Sequence, residues 1–154
     1  MALGDFWVVD PGGRELVARK YQTKAGQTAI KAGEWVIQDT AGDVEYVQLP
    51  SDGASNTSVW CGVAASSDTV TASADGVVHV FDNPNYIFRG KPTTSGNLAT
   101  SIILTQVTLD IDGSNNQTVD ENDTTNGTFI VRGYDSAAGT IDVQMALLDH
   151  ISEG

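Results

Sequence analysis

Short apolar runs recur along the whole chain and are separated by turns rich in Gly, Asp and Asn. The runs are rich in Val, Ile, Thr and aromatic residues, and many follow one another at intervals of about 8–12 residues, as strands do in all-β domains. This pattern predicts ten β-strands: Phe6–Val9, Glu15–Tyr21, Glu34–Gln38, Val44–Leu49, Val59–Ala65, Gly76–Phe81, Ile87–Lys91, Val107–Ile111, Thr128–Tyr134 and Thr140–Met145.

Alternation within these runs indicates how each strand is buried. In Thr140–Met145 apolar and polar residues alternate from Ile141 onward, as in a strand with one face in water. Val44–Leu49 has no clean polar face, which fits burial on both sides. Helical spacing is confined to Asn97–Thr105, which suits a short helix and a strand about equally, and to residues 143–151.

The elements together predict an all-β fold. It is either an antiparallel β-sandwich or a small, partly closed, jelly-roll-like β-barrel. The length of 154 residues suits one domain that buries its own core. Residues 1–24 are predicted to form an extended N-terminal arm, and residues 25–154 a β-rich domain.

Charge is distributed unevenly along the chain, whose net charge is −12. Residues 1–31 hold five of the eight Lys and Arg residues, whereas the rest of the chain is strongly acidic. Because nucleic-acid binding relies on clustered basic residues, we expect no nucleic-acid partner. The basic N-terminal segment instead suits docking on an acidic surface of a separate protein.

Membrane insertion and export are not indicated. No apolar run approaches the roughly 20 residues of a membrane-spanning helix. The first residues also lack the basic and apolar regions of a secretory signal. We therefore expect no membrane partner and a protein made and used without secretion.

Candidates for catalysis are few. The histidines are His79 and His150, and the one cysteine, Cys61, excludes an internal disulfide. We interpret Cys61 as a buried strand thiol, because a reactive thiol needs a basic partner that the sequence does not show. His79 is predicted to be an ordinary strand residue. No nucleophile elbow or Gly-rich phosphate loop occurs, so no enzymatic activity and no cofactor are expected.

The acidic segment 110–121 matches five ligand positions of a twelve-residue calcium loop. It departs from that loop where Asn115 replaces the turn glycine and where Gln117 replaces an apolar residue. We interpret it as a solvated, mobile loop, with a non-EF-hand calcium site as the alternative. Asp110 and Asp112 also have about the spacing of a glycosidase carboxylate pair along a strand, but no cleft or sugar platform accompanies them.

The three tryptophans divide into two groups. Trp35 and Trp60 lie inside apolar strand patterns and are predicted to be core residues. Trp7 follows Phe6 in an apolar patch near the N-terminus. This patch is either an edge strand packed on its own domain or an anchor for a neighbouring subunit, since aromatic residues are enriched at interface hot spots.

Four motifs between Ala29 and Thr94 follow one another in a distinctive order. They are I-x-A-G-x-x-V at Ile30–Val36, G-V-A-A-S at Gly62–Ser66, D-G-x-V-x-V at Asp75–Val80 and an aromatic, basic strand at Tyr86–Lys91. In this order the segment resembles the head-decoration, or cement, proteins of tailed bacteriophages and prophages. Residues 126–145 show weaker echoes of the same pattern.

The resemblance implies a non-enzymatic virion protein, made in the bacterial cytoplasm and bound to the outer capsid surface. It implies a homotrimer that clamps adjacent major capsid proteins. We expect capsid contacts from the N-terminal segment, at Phe6, Trp7, Arg14, Arg19, Lys20 and Tyr21, and contacts to an acidic neighbouring subunit from Arg89 and Lys91. The alternatives are a carbohydrate-binding or adhesive β-domain of a phage tail or cell surface, and a small hydrolase.

Overall fold

The structure, a computed structural model, describes residues 5–40, 45–52, 58–125 and 127–146. These residues form strands and two short 3-10 helices, Ser95–Asn97 and Thr100–Ile102. The strands are β1 (Trp7–Asp10), β2 (Arg19–Thr23), β3 (Trp35–Gln38), β4 (Val47–Gln48), β5 (Trp60–Ala64), β6 (Gly76–Phe81), β7 (Ile87–Gly90), β8 (Gln106–Ile111), β9 (Gln117–Asp120), β10 (Phe129–Asp135) and β11 (Thr140–Met145).

The strands form two antiparallel sheets, which confirms the all-β prediction and gives a β-sandwich. One sheet has six strands in the order β1-β7-β11-β10-β8-β9, and the other has five in the order β2-β6-β5-β3-β4. The five-stranded sheet curls into a half-barrel whose edges meet at a parallel bridge between Gln22 and Tyr46. A second parallel bridge joins Pro92, just after β7, to Val119 of β9.

The fold has two apolar cores, of which one lies between the sheets and the other within the curled sheet. Between the sheets, Trp35 packs its ring 4.5 Å from Phe129 and 4.9 Å from Phe88. On its other face the curled sheet encloses a smaller core, formed by Ile30, Val36, Val47, Ala64, Val78 and Val80. Because Trp35 belongs to one core and Val36 to the other, β3 is apolar on both sides. Trp35 and Trp60 are fully buried, as predicted.

Most predicted strands are present with shifted ends. Gly76–Phe81 and Thr140–Met145 have the predicted bounds. The predicted strand Val44–Leu49 shortens to β4, although Val44 itself lies outside the described residues. Segment Asn97–Thr105 contains only 3-10 turns. The C-terminal helix candidate lies largely outside the described residues.

Residues 110–121 are not the solvated loop that the sequence predicts. Asp110 and Ile111 end β8, and the chain turns back into β9, a strand that the sequence analysis did not predict. Gln117, Thr118 and Glu121 are buried. The segment forms a hairpin because its polar side chains find hydrogen-bond partners elsewhere in the fold, which removes the penalty for burying them.

The N-terminal segment is extended but is built into both sheets. β1 is an edge strand of the six-stranded sheet through its pairing with β7, and β2 is an edge strand of the half-barrel through its pairing with β6. Residues 11–18 therefore cross from one sheet to the other. Phe6 lies in the main core with its ring 5.8 Å from that of Trp35, so it is not available at the surface for the predicted capsid contact.

Candidate interaction surface

An open groove of about 520 Å³ lies beside the crossing segment of residues 11–18, which contributes Arg14 to its lining. Arg19 and Tyr21, two positions apart on β2, point to the same side of their strand and line the groove as well. The loop after β6 supplies further lining residues. We call this feature the arginine groove; it is lined by Arg14, Arg19, Tyr21, Val59, Trp60, Cys61, Asp82, Asn83, Pro84 and Asn85.

Tyr86 fixes the backbone of the crossing segment. Its buried hydroxyl donates a hydrogen bond to the carbonyl oxygen of Glu15 and accepts one from the N–H of Val17, both at 2.9 Å. The side chains of Leu16 and Val17 are consequently held outward, with 50% and 48% of their surface exposed. A rigid backbone thus presents two adjacent aliphatic side chains to solvent.

Asp82 organises the charges within the arginine groove. Its Oδ2 accepts a 2.6 Å hydrogen bond from the Tyr21 hydroxyl, and its Oδ1 lies 3.6 Å from Nε of Arg19. Burial, followed by the hydrogen bond to Asp82, raises the pKa of Tyr21 well above its usual value, so the phenol keeps its proton. The groove therefore contains two guanidinium groups, Arg14 and Arg19, and one carboxylate.

Cys61 lies at the floor of the groove and is half-buried in β5. Burial and the nearby charge of Asp82 raise the pKa of its thiol to about 12. Because the thiolate is the nucleophilic form, this thiol is unreactive at neutral pH. The groove is therefore suited to binding rather than to nucleophilic chemistry.

The other predicted contact residues lie in three separate places. Lys20 is exposed on β2 between two groove residues and pairs across the strands with His79. Trp7 and Arg89 are directly opposite each other on the outer face of the six-stranded sheet. Lys91 lies after β7, with its ammonium group 3.5 Å from the carbonyl oxygen of Ala138.

Arg89 already has an acidic partner within the same chain. Its Nε and Nη2 donate hydrogen bonds of 2.7 and 2.9 Å to the two carboxylate oxygens of Asp142. This bidentate bond raises the pKa of the guanidinium group. A contact of Arg89 with a neighbouring subunit would have to form alongside this pair or replace it.

The candidate catalytic and metal-binding residues do not converge. Asp110 accepts a hydrogen bond from Thr93, Asp112 from Asn116, and Glu121 from the N–H of Thr94 and the amide of Asn97. Within the described ranges, no three His, Cys, Asp or Glu side chains are grouped to hold a metal ion. His79 is exposed, with Nδ1 3.5 Å from the hydroxyl of Ser66, and His150 lies outside the described residues.

The sequence does not predict that several residues of this surface belong to it. The sequence predicts that Leu16 and Val17 lie in a strand from Glu15 to Tyr21, whereas the strand begins only at Arg19. Asp82 lies outside the predicted strands and Tyr86 lies in the aromatic, basic motif, so the sequence marks neither residue as part of a binding surface. The sequence does contain one indication that Leu16 and Val17 lie outside a regular strand. Two consecutive aliphatic residues break the alternation of apolar and polar residues that is expected of a strand with one face in water.

Comparisons with known proteins leave the family open. No protein-family model matches the chain, and searches of the curated proteins and of the solved structures give no significant match. In the part of the chain that the structure describes, no helix has the length and apolar character needed to cross a membrane.

Proposed function

We propose that this chain is a non-enzymatic structural protein that binds the outer surface of a phage capsid. As a homotrimer it would stabilise the shell by clamping adjacent major capsid proteins, after synthesis in the bacterial cytoplasm. The observation that carries the proposal is the surface formed by Leu16 and Val17, which Tyr86 holds in place beside Arg14 and Arg19. The resemblance of residues 29–94 to head-decoration proteins supports the same function.

The physical properties of this surface suit docking on a large assembly. Because the backbone of residues 15–17 is already fixed, binding costs little ordering entropy. The aliphatic pair supplies apolar area to bury, and the two arginines supply electrostatic complementarity to an acidic partner. Each contact surface is small, so attachment at three sites by a trimer would raise the overall affinity through effective concentration.

Co-sedimentation with capsids tests this function directly. The capsids are assembled from the major capsid protein encoded in the same genome, and wild-type protein is expected to sediment with them and to behave as a trimer in light scattering. The double variant Leu16→Ser/Val17→Ser is expected to reduce occupancy at least about tenfold. Leu104→Ser, which alters an exposed leucine elsewhere, serves as the matched control. Absence of wild-type protein from the capsid pellet contradicts the proposal.

A second candidate is a carbohydrate-binding or adhesive β-domain, and one observation favours it. Trp7 is 41% exposed and lies beside the Arg89–Asp142 pair on one face of the six-stranded sheet. An exposed aromatic ring next to charged hydrogen-bonding groups is an arrangement that can stack on and orient a sugar ring. Glycan-array binding by a monomer that is lost in Trp7→Ala would support this function in place of capsid binding.

A further inference from the structure

Resting on the capsid-binding function above, we propose that the arginine groove is the receptor for an acidic peptide segment of the partner protein that also carries an aliphatic side chain. The two guanidinium groups would hold the carboxylates of this segment. Val59 in the groove lining would cover the aliphatic side chain, and Leu16 and Val17, exposed on the segment between Arg14 and Arg19, would add apolar surface to the contact.

The arginines of the groove retain their capacity to bind a carboxylate. Arg19 lies 3.6 Å from Asp82 and its side chain is 75% exposed, so this pair is long and open to solvent. Arg14 is exposed and has no ion pair within the described part of the chain. Since Tyr21 already supplies a short hydrogen bond to Asp82, Arg19 can turn toward a ligand without leaving that carboxylate unpartnered.

Charge complementarity determines which occupant the groove prefers. The groove carries two basic groups and one acidic group on a chain whose net charge is −12. A cationic segment would meet both arginines, whereas an acidic segment can form charge-assisted, bidentate hydrogen bonds with them. A second copy of this chain is the competing occupant, and the oligomeric state of the arginine variant tests it.

The apolar part of the groove adds a requirement beyond charge. Val59 is half exposed within the lining, and the main chain beside the exposed Leu16 and Val17 side chains is held by the two hydrogen bonds of Tyr86. An aliphatic side chain flanked by acidic residues would contact these groups while its carboxylates reach the arginines. A purely polyanionic ligand would leave the exposed aliphatic surface in water.

Peptide binding measured by fluorescence anisotropy tests the inference. The probe is Asp-Glu-Leu-Val-Glu-Asp-amide with fluorescein attached to its N-terminus, compared with an equally labelled peptide in which Asn and Gln replace the acidic residues and with one in which Ser replaces Leu and Val. We expect the acidic aliphatic peptide to bind most tightly and its affinity to fall as salt is raised. Arg14→Gln/Arg19→Gln should weaken binding at least tenfold, while Lys31→Gln, at an exposed lysine outside the groove lining, should not change it.

Three results would overturn the inference. The first is equal binding of the acidic and the neutral peptide, and the second is unchanged affinity in the double arginine variant. The third is a change in oligomeric state of that variant in light scattering, which would make a second copy the occupant. Both arginines are exposed, so thermal unfolding should confirm that the variant folds normally.

Capsid co-sedimentation of the same variants separates this inference from the proposed function. If wild-type and Arg14→Gln/Arg19→Gln proteins bind capsids equally, the groove is not the receptor and the capsid function stands. If the wild-type protein binds the acidic peptide but no capsid, the capsid function fails and the chemistry assigned to the groove stands. Loss of both peptide and capsid binding in the double variant supports the two proposals together.

Discussion

The side-chain amide of Gln117 pairs with the main chain of Trp35 as a neighbouring strand would. Its Oε1 accepts a 2.6 Å hydrogen bond from the Trp35 N–H, and its Nε2 donates a 3.2 Å hydrogen bond to the Trp35 carbonyl oxygen. Both groups are buried, and the pair links β9 of one sheet to β3 of the other. A single glutamine thus satisfies two main-chain groups between the sheets.

Replacing Gln117 by Leu is expected to destabilise the fold. The substitution leaves the Trp35 main-chain groups without their side-chain partner, at a cost of about 1–3 kcal/mol for each group left unsatisfied. Urea unfolding followed by tryptophan fluorescence measures the loss. Gln22→Leu, at an exposed glutamine of β2, is the control. Equal unfolding free energies for the two variants would show that the Gln117 bonds add no stability.

Removing the hydroxyl of Tyr86 is expected to release the crossing segment. Tyr86→Phe keeps the ring in the core but deprives the Glu15 carbonyl and the Val17 N–H of their partner. We expect amide hydrogen exchange at Val17 to accelerate at least tenfold and affinity for capsids to fall because the surface is no longer pre-organised. Tyr134→Phe, whose hydroxyl lies near Thr100 at the surface, should change neither. Unaltered exchange at Val17 would show that the segment is fixed by other contacts.

Gly90 provides the space that Phe6 occupies. A Cβ atom added at Gly90 would lie 2.0 Å from Cε1 of the Phe6 ring, so the ring must move. We expect Gly90→Ala to lower the free energy of unfolding by about 1–3 kcal/mol, the usual cost of overpacking a core. Gly96→Ala, where an added Cβ meets no atom within 4 Å, is the control.

A double variant identifies the cause of that loss. Adding Phe6→Leu to Gly90→Ala should cost less than the sum of the two single changes, because a smaller side chain leaves room for the new methyl group. Simple additivity in thermal or urea unfolding would mean that the contact between the two positions is not responsible.

The thiol of Cys61 should show its raised pKa in its reactivity. With a pKa of about 12, the thiolate fraction and the rate of reaction with iodoacetamide should keep rising about tenfold per pH unit between pH 8 and 11. A thiol of ordinary pKa that is merely shielded would level off above about pH 9. Asp82→Asn should increase the rate, since it removes the negative charge that disfavours the thiolate. Rates that plateau near pH 9 contradict the assignment.

The β8–β9 turn should lose stability in acid. Asp112 accepts hydrogen bonds from the side-chain amide and the N–H of Asn116 and from the N–H of Ser114, and these bonds lower its pKa. A lowered pKa means that the stabilisation is present above the unfolded value of about 3.9 and is lost as pH falls through the folded value. The amide proton shifts of Ser114 and Asn116 should titrate below pH 3.9, and Asp112→Asn should abolish the titration. A midpoint at or above that pH would contradict the prediction.

Local sequence patterns predict this fold well in strands where the buried residues are the apolar ones of an alternating apolar and polar pattern. Gly76–Phe81 and Thr140–Met145 have clear periodicity and end at turn residues, so their bounds agree with the structure. β9 does not follow that rule, because its first residues are polar and nevertheless buried. Gln117 can be buried only because Trp35, 82 positions earlier in the chain, presents a free pair of main-chain groups. No local pattern contains that partner.

The candidate site likewise combines features that local sequence patterns predict with features that depend on distant parts of the chain. Its basic and aromatic residues are apparent in the composition of the N-terminal segment, and Arg14, Arg19 and Tyr21 do line one groove. Their assembly depends on β1 and β2 joining different sheets, which a strand-by-strand interpretation does not reveal. The burial of Phe6 likewise requires the missing side chain of Gly90, a relationship between two distant positions.

The placement of β1 and β2 has a consequence for the order of folding. Both strands pair with segments far along the chain, β2 with residues 76–80 and β1 with residues 87–89. Such non-local pairings form only after the intervening chain has been made and its loop closed. The segment that carries Leu16 and Val17 therefore cannot be held at both ends until residues 76–89 have been made and paired. A chain that has not reached this stage lacks the docking surface proposed above, so a partner that recognises this surface would select chains in which these distant pairings have formed.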